Sequence, residues 1–245
     1  MKNIIKRRIQ YNLNLIYKDE FVKLIHGNCI EVMDDMIKKK RNVDCSIVDI
    51  PYGNVSKNGE ERAKYAGQLR KINKEEADIV TFDEIEFSQR LAQITKGSIY
   101  IFCGIDQIAK IYNYFKEDLK KDWMARLCTW HKTNPSPSNG QHMFLSASEF
   151  IVFAKRRNTK FNGHCEHNVF NFPCGRSKLH PTEKPQGLLE YLIKMSSNEG
   201  DLIFDCCFGS GSIGLASKKL NRKFLGVELQ NKYCEIAKNR LENII

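Results

Sequence analysis

A carboxylate, a proline and a tyrosine come together at Asp49-Ile50-Pro51-Tyr52, directly after the apolar run at residues 43–48. A buried strand that ends this way delivers an acceptor, a rigid kink and an aromatic face to one edge of a sheet. Ligands of open α/β sheets bind at that edge. The set suits a nucleobase taken out of its helix. Asp49 and a backbone carbonyl can accept hydrogen bonds from an exocyclic amine, while Tyr52 stacks on the ring. On its own, an ordinary strand-end turn, where Asp and Pro are common, is the better account.

A second constellation lies near the end of the chain. The short apolar run at residues 202–205 leads into Cys206-Cys207-Phe208-Gly209-Ser210-Gly211-Ser212-Ile213-Gly214, and the next strand pattern ends at Glu228. Glycines after a strand let backbone approach a ligand closely, and an acid at the next strand end can accept from ribose hydroxyls. Gly209, Gly211 and Gly214 even satisfy the dinucleotide pattern of a dehydrogenase. Position argues against that, because residues 229–245 leave room for one closing helix only. The other strands must come from upstream, the order expected of a circularly permuted sheet whose nucleotide half comes last.

The elements that would position these residues alternate. Strand patterns fall at residues 22–25, 43–48, 98–102, 125–130, 150–154, 202–204 and 224–227. Helical patterns fall at 29–40, 84–95, 107–120, 184–197, 212–220 and 231–242. This predicts an α/β fold, a mostly parallel seven-stranded sheet with helices on both faces. Two stretches depart from it. Residues 53–79 are polar and read as a mobile loop, and 131–179 read as an inserted region.

Composition bounds the rest. The 245 residues, 42% hydrophobic, suffice for one sizeable core, so residues 1–245 are expected to form a single domain. No secretory signal and no run of about 20 apolar residues is evident, which points to a cytoplasmic chain with no membrane partner. The nine cysteines show no disulfide spacing and suit a reducing compartment. The formal charge of +10 permits a polyanion partner, although lysine-rich composition alone explains it equally well.

Taken together, these runs resemble the permuted β group of DNA amino-methyltransferases, the N6-adenine and N4-cytosine family. Asp49-Ile50-Pro51-Tyr52 resembles the family's catalytic D-P-P-Y, with Ile50 in place of its first proline. His180-Pro181-Thr182-Glu183-Lys184-Pro185 resembles H-P-T-x-K-P, and residues 205–212 resemble D-P-F-x-G-S-G-T, with Cys206 and Cys207 for Pro and Phe. Phe224-Leu225-Gly226-Val227-Glu228 resembles the acid-bearing strand, and Gly27-Asn28-Cys29 the early G-D-C. The likeness covers roughly the whole chain.

The resemblance implies a Rossmann-like methyltransferase fold, S-adenosyl-L-methionine as cofactor, and direct methyl transfer to a flipped base. Asp49, Ile50, Pro51 and Tyr52 become the catalytic set. The cofactor pocket draws on Asn28, Cys29, Asp49, His180, Thr182, Lys184, Asp205, Cys207, Gly209, Ser210, Gly211, Ser212 and Glu228. Asp at the head of the motif favours N6 of adenine over N4 of cytosine. Double-stranded DNA is the implied substrate. Family members are often homodimers, and the sequence leaves open whether a cognate restriction enzyme accompanies the protein or it is a solitary or mobile-element enzyme.

DNA contact is expected from residues 131–179, helped by 53–79. Lys155, Arg156, Arg157, Lys160, Arg176 and Lys178 concentrate positive charge there, against a single acid, Glu166, within 155–178. Phe161, Phe170 and Phe172 between them either pack a small subdomain or fill the gap left by the flipped base, packing being the stronger expectation. Three other readings remain. A C5-cytosine enzyme would need a nucleophile such as Cys174, which lies in the wrong region. A zinc-clipped module could use His164, Cys165, His167 and Cys174, at a spacing that matches no ordinary finger. An RNA methyltransferase is the third.

Overall fold

The chain's central strand, β3 (Val43–Asp49), is buried at Val43, Cys45, Ser46, Ile47 and Val48, so it must be covered on both faces. The computed structural model, which describes residues 14–51, 83–137, 140–175 and 183–243, supplies that cover. Beside β3 lie β4 (Thr95–Cys103) and β8 (Leu202–Asp205), both parallel to it. The sheet extends through β9 (Lys223–Glu228), β2 (Val22–His26) and β1 (Asn14–Lys18) on one side. On the other side come β6 (Ser148–Arg156), β5 (Trp123–Lys132) and β7 (Val169–Phe172). The full order is β1-β2-β9-β8-β3-β4-β6-β5-β7.

Three helices cover each face. On one lie α1 (Cys29–Lys38), α2 (Glu84–Ile94) and α3 (Ile105–Asn113), which packs Ile111 and continues as a π-helical turn, Tyr114–Asp118. On the other lie α4 (Gln186–Ser196), α5 (Ser212–Lys219) and α6 (Asn231–Glu242). Period-two alternation divides β4 between the two cores. Tyr100 and Phe102 face α4, while Ile99 and Ile101 face α2. Caps set the helix starts: the Asn28 side chain accepts from the Ile30 N–H, and Asp83 accepts from those of Ile85 and Glu86.

The α/β class and helices on both faces match the expectation, but the described residues form nine strands, not seven. β1 and β7 are the additions. β1 is an antiparallel edge strand, turned into β2 by Asp19, whose Oδ1 accepts from the N–H groups of Phe21 and Val22 at 2.8 and 2.6 Å. β7 is a four-residue edge strand parallel to β5, braced where the Trp130 indole donates to the Phe172 carbonyl at 2.9 Å. Both edges are too short to show a period in sequence. The stretch 131–179 accordingly contributes β6 and β7 to the sheet itself. No helix among the described residues is long and apolar enough to cross a membrane.

Candidate active site

The parallel strands β2, β9, β8, β3 and β4 end along one edge of the sheet, which brings Glu228, Asp205 and Asp49 to the same side. Asp49 is paired with Phe102, and the chain then turns with the Ile50 N–H on the Phe102 carbonyl at 3.2 Å. Ile50 is buried at 2% exposure, so its side chain anchors the turn that a proline would otherwise stiffen. Pro51 is held by Gln107 of α3, whose amide donates to its carbonyl at 3.0 Å while its own Oε1 accepts from the Gly104 N–H. Tyr52, the loop at 53–79, Arg176, Lys178, His180 and Thr182 lie outside the described residues.

Lys184, expected in the cofactor pocket together with Asp49, reaches Asp49. Its ammonium is 2.6 Å from Asp49 Oδ2 and 3.2 Å from Glu149 Oε2, and Lys132 approaches Glu149 Oε1 at 2.8 Å. Lys184 also lies 5.1 Å from the centroid of the Phe102 ring. Burial by itself would lower the Lys184 pKa, but the carboxylates of Asp49 and Glu149 outweigh it and raise it above the ordinary lysine value. For Glu149, burial pushes upward, and Lys184 with Lys132 outweigh that and hold the carboxyl below its usual range. Glu149 opens strand β6, and nothing in the chain around it marked it as part of the site.

The neighbouring residue faces the other way. Glu183 Oε1 accepts from Ser212 Oγ at 2.8 Å and from Arg240 of α6 at 2.6 Å. Arg240 in turn donates to the Ser210 carbonyl at 2.9 Å and to Ser210 Oγ at 3.0 Å. Glu183 and Arg240 thus clamp the glycine turn. Gly209 and Gly211 carry φ of +50° and +80°, which only glycine adopts without strain. A Cβ on Gly211 would lie 2.9 Å from that of Ala237, whereas among the described residues one on Gly209 would meet nothing closer than the Cys207 carbonyl at 4.0 Å. The turn is therefore closed toward α6 and open above Gly209.

Two buried acids line this turn. Glu228 accepts from the Gly209 N–H at 3.0 Å and from the Gln230 N–H at 2.9 Å. Burial pushes its pKa up, against those two bonds. Asp205, 2% exposed, is pushed well above the carboxylate range by burial, although the Cys207 N–H bonds it at 3.0 Å. Beside them Cys29 opens α1, within hydrogen-bonding reach of the thiols of Cys206 and Cys207. Those two bonds pull the Cys29 thiol down, and burial pushes Cys206 up.

The remaining sequence candidates are spread differently. β6 runs antiparallel to β4, so its last residues lie at the opposite end of the sheet from Asp49. Lys155 is 6% exposed, and its ammonium donates to the carbonyls of Arg156 and Thr159. Arg156 stacks 4.7 Å from the Trp123 ring centroid and donates to the carbonyls of Thr95 and Ala92. Arg157 donates to the Lys120 carbonyl, and Lys160 is exposed. Phosphate contact by Lys155 or Arg156 would have to break these bonds. Phe161 packs on Phe153, while Phe170 and Phe172 pack on Tyr191. His164 and Cys165 are exposed, and among the described residues no three of His, Cys, Asp and Glu gather so as to hold a metal ion.

The family model described as DNA methylase matches residues 43–239. The chain is 27% identical to the Type II methyltransferase M2.DpnII of Streptococcus pneumoniae, over 92% of this chain and 91% of that protein. It is 29% identical to the Type II methyltransferase M2.MboI of Moraxella bovis, over 92% and 89%. Among solved structures it is similar to the M1.HpyAVI complex with SAM, at a TM-score of 0.68 and 26% identity, over 91% of this chain and all (100%) of that one. The PvuII cytosine-N4-specific DNA methyltransferase shares the fold, with a TM-score of 0.67 at 15% identity, over 96% of this chain and 92% of that one.

Proposed function

The chain belongs to the DNA methylase family, and from that premise we propose that it methylates N6 of adenine in double-stranded DNA. Its reaction is S-adenosylmethionine-dependent methylation of DNA at an exocyclic base amine. The glycine turn suits that cofactor. Among the described residues nothing crowds the space above Gly209, and Glu228 stands at the adjoining strand end. A carboxylate has about four acceptor sites, so the two backbone bonds leave Glu228 capacity for ribose hydroxyls. Bound there, S-adenosylmethionine supplies an electrophilic methyl group on its sulfonium.

What the protein supplies is position. An aromatic amine is a poor nucleophile because its lone pair is delocalised into the ring. The Asp49 carboxylate and the Ile50 carbonyl accept the amine hydrogens, draw them out of the ring plane and localise that pair. Such electrostatic positioning is worth about 3–4 kcal/mol in enzymes that lose one such group. Lys184 fixes the orientation of Asp49, and Gln107, bonded to the Pro51 carbonyl, holds the turn that carries the Ile50 carbonyl, so the acceptors keep their places before substrate arrives. Tyr52, next in the chain, stacks on the base and offsets part of the few-kcal/mol cost of unstacking it.

The observation that carries this reading is the Asp49–Lys184 pair at 2.6 Å, on the same sheet edge as the glycine turn. Adenine rests on Asp at the head of the motif. A homodimer and a cognate restriction endonuclease belong to the same reading as partners. Nucleoside mass spectrometry of DNA incubated with the protein and labelled cofactor tests it, with N6-methyladenine as the expected product. N4-methylcytosine would move the target to cytosine, and label entering RNA in preference to DNA would overturn the DNA assignment.

A further inference from the structure

The loop between β5 and β6 leaves the sheet at the Asp49 end, because β6 begins there with Ser148 and Glu149. Its tip is apolar. Phe144 is 100% exposed, Met143 67% and Leu145 41%. Presenting a whole phenyl ring to water is unfavourable by about 2 kcal/mol relative to burying it. The loop is nonetheless braced. Gly140 donates to the Pro137 carbonyl, Ala147 to that of Leu145, and Lys132 to that of Ala147 at 2.7 Å. Asn134 accepts from the Cys174 N–H at 2.6 Å. A Cβ on Gly140 would lie 2.7 Å from Leu145 Cδ2, so Leu145 is folded back on the loop while Met143 and Phe144 are left outside.

Two observations say what covers that tip. The first is reach. Four residues separate Phe144 from Glu149, which contacts Lys184 and through it Asp49, so the Cα atoms of Phe144 and Glu149 are at most about 17 Å apart. A span of that length is enough to cross a major groove about 12 Å wide. The second is charge. From Thr133 through Ser148 the sequence holds no Asp or Glu to repel phosphate, and Lys132 at the foot of the loop is paired with Glu149. In sequence the tip is flanked by Gln141, His142 and Ser146, whose side chains can hydrogen-bond to base edges and phosphates. A protein partner fits less well, since a stable interface covers about 800 Å² per side and this turn exposes a few side chains.

We propose that Met143 and Phe144 form the wedge that enters the base stack of duplex DNA, with Phe144 occupying the place the target base leaves. The inference rests on the methyltransferase reading above and adds to it the residue that holds the duplex open. Apolar side chains perform this insertion in other DNA-bending proteins, at an unstacking cost of a few kcal/mol per step. Phe144 is a positioning residue in this account. It touches the stack, and the reacting atoms stay with Asp49.

The test uses the full chain. The target site is first read by sequencing DNA methylated by the wild type. Two duplexes carrying it are then compared, one fully paired and one with an abasic site opposite the target base. Phe144→Ala should lose about 10- to 100-fold in kcat/KM on the paired duplex and return to within about threefold of wild type on the abasic one, where flipping is cheap. Phe144→Trp should keep most activity on both. Cofactor affinity, measured by isothermal titration, should not move in either variant. Equal losses on the two duplexes, or no loss on the paired one, would overturn the wedge. So would a wild-type dimer that Phe144→Ala converts to monomer, because the tip would then cover a second copy. A wild type that methylates no DNA sinks the parent reading instead, and the wedge with it.

Discussion

Strand β6 carries charge at both ends, and the two ends use it in opposite ways. At its start Glu149 meets Lys184 and Lys132, and Lys184 continues to Asp49. At its close Lys155, Arg156 and Arg157 donate to backbone carbonyls. Both groups include buried lysine or arginine. At the start the cations face carboxylates, which can accept from a substrate once their geometry is fixed. At the close they satisfy the carbonyls at the ends of helices and strands, which every buried backbone group requires. Charge density alone does not separate the two uses. The partners do.

The largest test of this contrast is Asp49→Ala, expected to lower the methylation rate by about 1000-fold or more while cofactor affinity stays within about threefold. Tritium incorporation and isothermal titration read the two quantities, and an active variant would dissolve the distinction between the ends. Next comes Lys184→Met, with a loss of about 10- to 100-fold. Its pH profile separates positioning from bulk stability. Lys184 helps hold Glu149 below the usual carboxylate range, so without it that pKa rises, and the acid limb of the rate profile should move to higher pH.

At the other end, Arg156→Ala should cost about 1–3 kcal/mol of stability in urea unfolding, through two lost carbonyl bonds and the Trp123 contact. DNA affinity should keep its dependence on salt. A slope flatter by about one unit would return phosphate contact to that end of the sheet. The smallest effect is expected for Glu149→Gln, about 1 kcal/mol at neutral pH. The folded-state pKa of Glu149 is depressed, so its contribution is present above its unfolded value of 4.5 and disappears as pH falls through the folded value. Unfolding curves of wild type and variant should therefore draw together as pH falls from 4.5 and meet below the folded value. Curves that stay apart there would place the stabilisation elsewhere.

What sequence could reveal followed the same division. Residues 49–52 and 205–212 were legible because each motif is contiguous, and the chemistry it needs is written in neighbouring side chains. All seven strand patterns and all six helix patterns correspond to observed elements. The edge strands β1 and β7 escaped because five and four residues show no clear period, and because the partner of β7 lies some forty residues upstream. Glu149, Gln107 and Arg240 escaped for another reason. Each matters through one contact made across the fold, and nothing local distinguishes Gln107 from any amide in the first turn of a helix. The run of cations from Lys155 was visible as charge, but the carbonyls of Thr95 and Ala92 that engage Arg156 belong to another part of the chain.

Glu183 and Lys184 are joined by one peptide bond and face different loops, the first toward the glycine turn and the second toward Asp49. Pro185 follows directly and restricts the backbone there, so a shift of either side chain is shared with the other. On the proposed function, with cofactor at the first loop and base at the second, the two sites are expected to be energetically linked. A ligand that settles one loop lowers the cost of ordering the other, and linkage makes the relation reciprocal: whatever factor the first ligand adds to the affinity for the second, the second returns to the first.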